Sequence, residues 1–70
     1  DPKTSLAVKL KKLEREEPTY EMTESGPEHE RVYFATCYSG MVSLGSGSGR
    51  TKRKAESDAA LSALRTLSEL

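Results

Sequence analysis

The sequence predicts an α+β domain of the order αβββα, a three-stranded antiparallel sheet with two helices packed on one face. Three observations predict it. Leucines recur at helical spacing near the start of the chain, alternating stretches separated by short Gly-containing turns fill the middle, and an alanine-rich stretch without Gly or Pro closes it. Seventy residues make one small domain with little room for a large enclosed active site. We take residues 1–70 as a single domain cut from a longer protein, because a helical pattern is already under way at Asp1.

Asp1–Glu17 reads as the first helix. Pro2 suits a first turn, and Leu6, Leu10 and Leu13 form one apolar stripe, with Lys3, Lys9, Lys11 and Lys12 mostly off it. Pro18 is expected to end this helix. Thr19–Ser25 alternates as a strand, Tyr20 and Met22 on one face and Glu21 and Thr23 on the other, and Ser25-Gly26-Pro27 marks a turn. Arg31–Tyr38 is a strand with two possible inward sets, Tyr33/Ala35/Cys37 or Val32/Phe34/Tyr38, between which periodicity does not choose. After a Ser39-Gly40 turn, Met41–Gly45 offers a short third strand with Val42 and Leu44 on one side, forming a hairpin with the second. Thr51–Leu70 is the second helix, with Thr51 as N-cap and Ala55, Ala59, Ala63, Leu64 and Leu67 on its inner face. Lys52, Arg53 and Glu56 share a different, solvent-facing side.

Charge is concentrated in one place. The chain is neutral, yet Ser46–Lys54 holds four cations and no acid, while the other 61 residues hold seven cations against eleven acids. These cations fall at a helix N-terminus, against the macrodipole, after a Gly-rich approach read as flexible. An anion is expected there, with free N–H groups, dipole and lysines together favouring phosphate; on this stretch alone the alternative is a flexible loop followed by a solvated basic turn.

Several function classes are excluded or disfavoured. The single Cys37 forms no internal disulfide framework and points to a reducing, intracellular setting. No apolar run approaches the ~20 residues of a membrane span, and no signal-peptide pattern is present. His29 has no partner at metal-ligand spacing and no nucleophile placed for it to activate. GSGSGR lacks the lysine and the spacing of a P-loop. No catalytic constellation, cofactor site or metal site is expected.

Taken together, the PTYE run at Pro18–Glu21, ESGPEH at Glu24–His29, YFATCY at Tyr33–Tyr38, GSGRTKRKAE at Gly47–Glu56 and the Ala59-Ala60…Ala63-Leu64 tail resemble the double-stranded RNA-binding domain. The resemblance runs from Asp1 to about Leu67. The opening DPKTSL, the GRTK segment and the acid at Glu56 are most similar to the version at the C-terminal end of ribonuclease III-type proteins.

The resemblance implies that Tyr33, Ala35 and Cys37 face the core and that Val32, Phe34 and Tyr38 lie on the open face of the sheet. It also implies a shape-reading, sequence-tolerant grip on duplex RNA through two minor grooves and the phosphates between them, along roughly 16 base pairs. Three contact regions follow. One is helix one, where Thr4 matches a contacting threonine, but Ala7 and Val8 stand where the ribonuclease III type carries Gln and Glu, so those two polar contacts cannot form. The second is the Gly26–His29 loop, with Pro27 shaping it and Glu28 and His29 offered to a minor groove. The third is Arg50, Thr51, Lys52, Arg53 and Lys54, with Lys52 and Arg53 bridging phosphates.

The resemblance implies no chemistry in this domain itself; a ribonuclease III parent would carry that elsewhere. Neutral net charge and Glu56 predict salt-sensitive binding weaker than in strongly basic members. The competing reading is a protein-interaction version of the same fold, with a partner on the Val32/Phe34/Tyr38 face.

Overall fold

The computed structural model describes residues 1–70, with elements in the order α1 (Pro2–Lys12), β1 (Pro18–Ser25), a 3-10 turn (Glu28–Glu30), β2 (Val32–Ser39), β3 (Val42–Gly49) and α2 (Lys52–Ser68). The αβββα order is the one expected. α1 begins where Asp1 caps it, the carboxylate accepting the Lys3 N–H at 3.1 Å. It does not run to Glu17. Glu14 turns to a left-handed φ of 56°. The Arg15 and Glu14 N–H groups then fold back onto the carbonyls of Leu10 and Lys11 at 2.9 and 3.0 Å. That double bond pattern satisfies the last carbonyls and stops the helix with a Glu where Gly is usual. Pro18 therefore starts β1 instead of ending α1, and Leu13, beyond the last full turn, is left half-exposed.

The sheet is an antiparallel meander in the order β1-β2-β3, leaving β1 and β3 as edges. Tyr20 lies opposite Cys37 and Met22 opposite Ala35, while across the other side Ala35 faces Gly47 and Cys37 faces Gly45. Ala35 and Cys37 are buried and Phe34 is 46% exposed, so the inward set is Tyr33/Ala35/Cys37. Pairing shifts between Cys37 and Tyr38. Tyr38 faces Ser43 and Cys37 faces Gly45, which makes Leu44 the extra residue of a β-bulge and leaves it buried. Val42, towards the hairpin turn, is half-exposed.

β3 continues to Gly49, four residues past the expected end, and the GSGSG stretch is strand and not a flexible approach. The reason lies in α2. A Cβ at Gly45 would stand 2.6 Å from the Ala63 N, one at Gly49 would stand 2.7 Å from the Lys54 Cβ, and one at Gly47 would strike the backbone of Asp58 and Ala59. Glycine on the strand and Ala55, Ala59 and Ala63 on the helix let the two backbones approach closely, and all three alanines are buried. α1 packs chiefly on α2, with a smaller contact on β1. The resulting core of ten residues contains five alanines and four leucines besides Cys37. With so little apolar volume, close helix-on-sheet packing carries much of the stability.

Candidate nucleic-acid interface

The start of α2 is built by its cap. Thr51 is extended, and its hydroxyl accepts the Lys54 N–H at 3.1 Å. No acid occupies the first turn, and Lys52, Arg53 and Lys54 are all exposed. Lys52 Nζ lies 6.0 Å from the centroid of the Tyr33 ring, whose face steadies the ammonium. Because β3 leads into this turn as ordered strand, the cations are held by the sheet.

The β1–β2 loop forms the second group. Gly26 adopts φ +91°, and Pro27 precedes a 3-10 turn closed by the Glu30 N–H on the Pro27 carbonyl at 2.9 Å. A Cβ at Gly26 would lie 2.9 Å from the Glu30 carbonyl oxygen, so both conformation and space require glycine there. Glu28 and His29 project from the turn, with the His29 side chain 78% exposed and its Nε2 3.8 Å from Glu30. An Arg31–Glu24 ion pair at 3.1 Å closes the base of the loop. Arg50 joins this group to the start of α2, its Nη2 donating to the His29 carbonyl at 3.5 Å.

Thr4, Ala7 and Val8 are exposed on α1, the Thr4 hydroxyl donating to Asp1 at 3.3 Å. Beside them, Lys3, Lys11, Arg15 and Tyr20 line an open groove of about 610 Å³ that Ala7 and Val8 also border. Sequence reasoning did not single out Lys3 and Arg15 here; the four-residue spacing of Lys3, Ala7 and Lys11 was the available signal. Glu56 differs from its expected place. It does not share an open side with Lys52 and Arg53 but turns to α1 and pairs with Lys3 Nζ at 2.6 Å.

Below the groove, the Tyr20 hydroxyl is buried and unsatisfied, lying against the weakly polar Cys37 thiol. Burial, reinforced by Cys37 and Glu56, pushes the Tyr20 phenol up to about 12, and burial also raises the Cys37 thiol. Cys37 is thus a small core hydrophobe. On the open sheet face Phe34 is exposed and Val32 and Tyr38 half-buried. The Tyr38 hydroxyl donates to Glu21 at 3.0 Å, and this bond raises its ionisation range. No helix is long and apolar enough to cross a membrane.

Comparison with known proteins identifies the family and the fold. The family model described as the double-stranded RNA binding motif matches residues 2–67. Ribonuclease 3 of Streptomyces coelicolor is 48% identical over 50 residues, which are 71% of this chain and 18% of that protein. Ribonuclease 3 of Corynebacterium efficiens is 36% identical over 69 residues, 99% of this chain and 28% of that protein. The chain thus spans well under a third of the length of these relatives. Among solved structures, the first dsRBD of HYL1 superposes with a TM-score of 0.77 at 29% identity, covering 91% of this chain and 92% of that one. The second dsRBD of DRB4 gives 0.76 at 27% identity, covering 100% and 99%. The chain belongs to the double-stranded RNA binding motif family, as a domain that binds duplex RNA and not a catalytic one.

Proposed function

We propose that this domain grips double-stranded RNA by shape, through minor groove, phosphates and minor groove, with little sequence preference. It is one module of a longer, ribonuclease III-type RNA-processing protein, for which it positions the duplex. The observation that carries the reading is the acid-free first turn of α2, where Lys52, Arg53 and Lys54 stand exposed on a helix start that follows β3 after two residues. Lys52 and Arg53 bridge phosphates, aided by Arg50 and Lys54, with Thr51 fixing the turn. Pro27 sets the loop from which His29 and Glu28 meet one minor groove. His29 offers ring nitrogens, and the Glu28 carboxylate accepts from 2′-hydroxyls, which donate. Thr4, Ala7 and Val8 meet the other groove with one hydroxyl and an apolar surface. An RNA ligand and an unpaired buried thiol support a reducing, intracellular setting.

The test is a titration with an RNA duplex longer than one site, at two salt concentrations, beside the matching DNA duplex. RNA binds and weakens with salt, and DNA competes poorly. Replacing Lys52 and Arg53 by alanine lowers the slope of log affinity against log salt by about two, since each lost phosphate contact removes about one. Absence of RNA binding at low salt would refute the reading. It would favour instead a protein partner on the Val32/Phe34/Tyr38 face, for which the 46% exposure of Phe34 is the supporting observation.

A further inference from the structure

We propose that Glu56 sets the RNA affinity of this domain by withholding Lys3 from the duplex. This rests on the reading of α1 as a contact region. Lys3, Ala7 and Lys11 follow one another at four-residue spacing and border the same open groove. A lysine at that place, on a long flexible stem beside a minor groove, is within the reach of a flanking phosphate.

Lys3 is not free to make that reach. Its ammonium lies 2.6 Å from Glu56 Oε1 and 5.3 Å from the centroid of the Tyr20 ring. Its side chain is 38% exposed and that of Glu56 28%. The backbone beneath it is held as well, because the Lys3 N–H is the donor to the Asp1 cap. To bind a phosphate, Lys3 would have to leave a charge-assisted hydrogen bond and the aromatic face together. It would also leave Glu56 half-buried and unpaired next to a polyanion. The carboxylate therefore wins the competition for Lys3. Glu56 lies three residues after Arg53 and four after Lys52, but its charge is spent on α1, so the phosphate-bridging turn keeps its full positive field.

An inter-helix staple with no influence on RNA is the alternative, and the two differ in sign. A staple predicts that Glu56→Gln weakens binding or leaves it unchanged. Withholding predicts a gain, because the change removes an anion and releases a cation. The experiment compares wild type, Glu56→Gln, Lys3→Met and the double variant on one RNA duplex across a range of salt. Glu56→Gln is expected to steepen the log–log salt slope by about 0.9, which is about 8-fold tighter binding at 0.1 M salt. Lys3→Met bares the Glu56 carboxylate to the duplex and binds no tighter than wild type, and the double variant, which lacks both charges, keeps the wild-type slope.

A flatter slope for the double variant than for wild type would mean that Lys3 already contacts phosphate and would overturn the proposal. So would an unchanged slope for Glu56→Gln. A second measurement needs no RNA: melting-temperature losses of the two single changes must be non-additive in the double variant. Strict additivity means that the pair is not made in solution, and the proposal falls. Wild-type binding with an indifferent Glu56→Gln sinks this proposal only, whereas no binding by either protein sinks the RNA-contact reading beneath it as well.

Discussion

Replacing Gly47 by alanine tests the contact on which the domain is built. Gly47 sits in β3 opposite Ala35, with α2 directly above it. An added methyl would come within 2.6 Å of the carbonyl carbon and Cβ of Asp58 and closer still to the Ala59 backbone nitrogen. Carbon atoms at rest stand about 3.5–4.0 Å apart, so roughly 1 Å of separation is missing. The obstruction is helix backbone, which cannot rotate away, so relief requires α2 to lift from the sheet. Overpacking of this kind costs about 1–3 kcal/mol. The loss of glycine's extra freedom in the unfolded chain offsets about 0.5–1 kcal/mol of that.

The net expectation for Gly47→Ala is a loss of about 2 kcal/mol, at the upper end because the clash is with backbone. In a domain of this size that lowers the melting temperature by about 8–16 °C. Circular dichroism melts and urea titrations measure it. Ser46→Ala, on the exposed side of the same strand, is the control and is expected to stay within about 0.5 kcal/mol. A glycine in a flexible tether would tolerate the methyl. If Gly47→Ala melts like the Ser46 control, the close β3–α2 approach is wrong, and with it the idea that β3 holds the cationic turn in place.

Other substitutions probe single features. Thr51→Ala removes the cap on the Lys54 N–H and is expected to cost about 1 kcal/mol, read as a lower urea midpoint at unchanged slope. Glu14→Gly relieves a left-handed residue and is expected to stabilise by about 0.5–1 kcal/mol once glycine's entropy is deducted, read as a higher melting temperature. Tyr20, pushed up to about 12, is expected to ionise well above the ordinary tyrosine value of 10 in an ultraviolet titration, and Tyr20→Phe to remove that late step. The folded state keeps the phenol protonated above the ordinary value of 10. The stability this contributes is complete below pH 10 and is lost as pH rises towards 12, so alkaline unfolding should shift to higher pH when Tyr20 is replaced.

What could be read from the sequence follows from the range of each interaction. The first two strands, the start of the third, the Thr51 cap and the Leu6/Leu10 part of the α1 stripe are written in neighbouring residues, and the structure has them. The inward set of β2 was ambiguous because both of its faces are partly apolar, and family resemblance resolved it where alternation could not. Three features depend on partners distant in sequence or on backbone choice. Glu14 ends α1 in a conformation its side chain does not announce. Gly45, Gly47 and Gly49 look like linker residues until the alanines of α2 are laid over them. Glu56 looks solvent-facing on its own helix because its partner, Lys3, is 53 residues away. The last two matter for function, since one fixes the cationic turn and the other decides which cations are available.

They also bear on how a neutral chain can hold a polyanion. Asp1–Arg15 carries five cations against two acids and Arg50–Lys54 four against none, whereas Glu16–Glu30 carries six acids and no lysine or arginine. Several acids are engaged locally: Glu21 by Tyr38, Glu24 by Arg31, Glu56 by Lys3 and Asp58 by the Ser48 N–H at 3.1 Å. Fields from exposed charges fade over about 8–10 Å at physiological salt, so a bound phosphate responds to the cations beside it and little to the sum over the molecule. The salt slope counts phosphate contacts, and net charge does not enter that count. Net charge enters before contact, in the long-range steering that accelerates encounter. A neutral domain with a local cationic turn should therefore show an ordinary salt slope for its contacts but an association rate below that of strongly basic members. Stopped-flow association against duplex RNA at low salt measures this directly, and a rate near the diffusion limit would show that charge segregation alone is enough to steer the encounter.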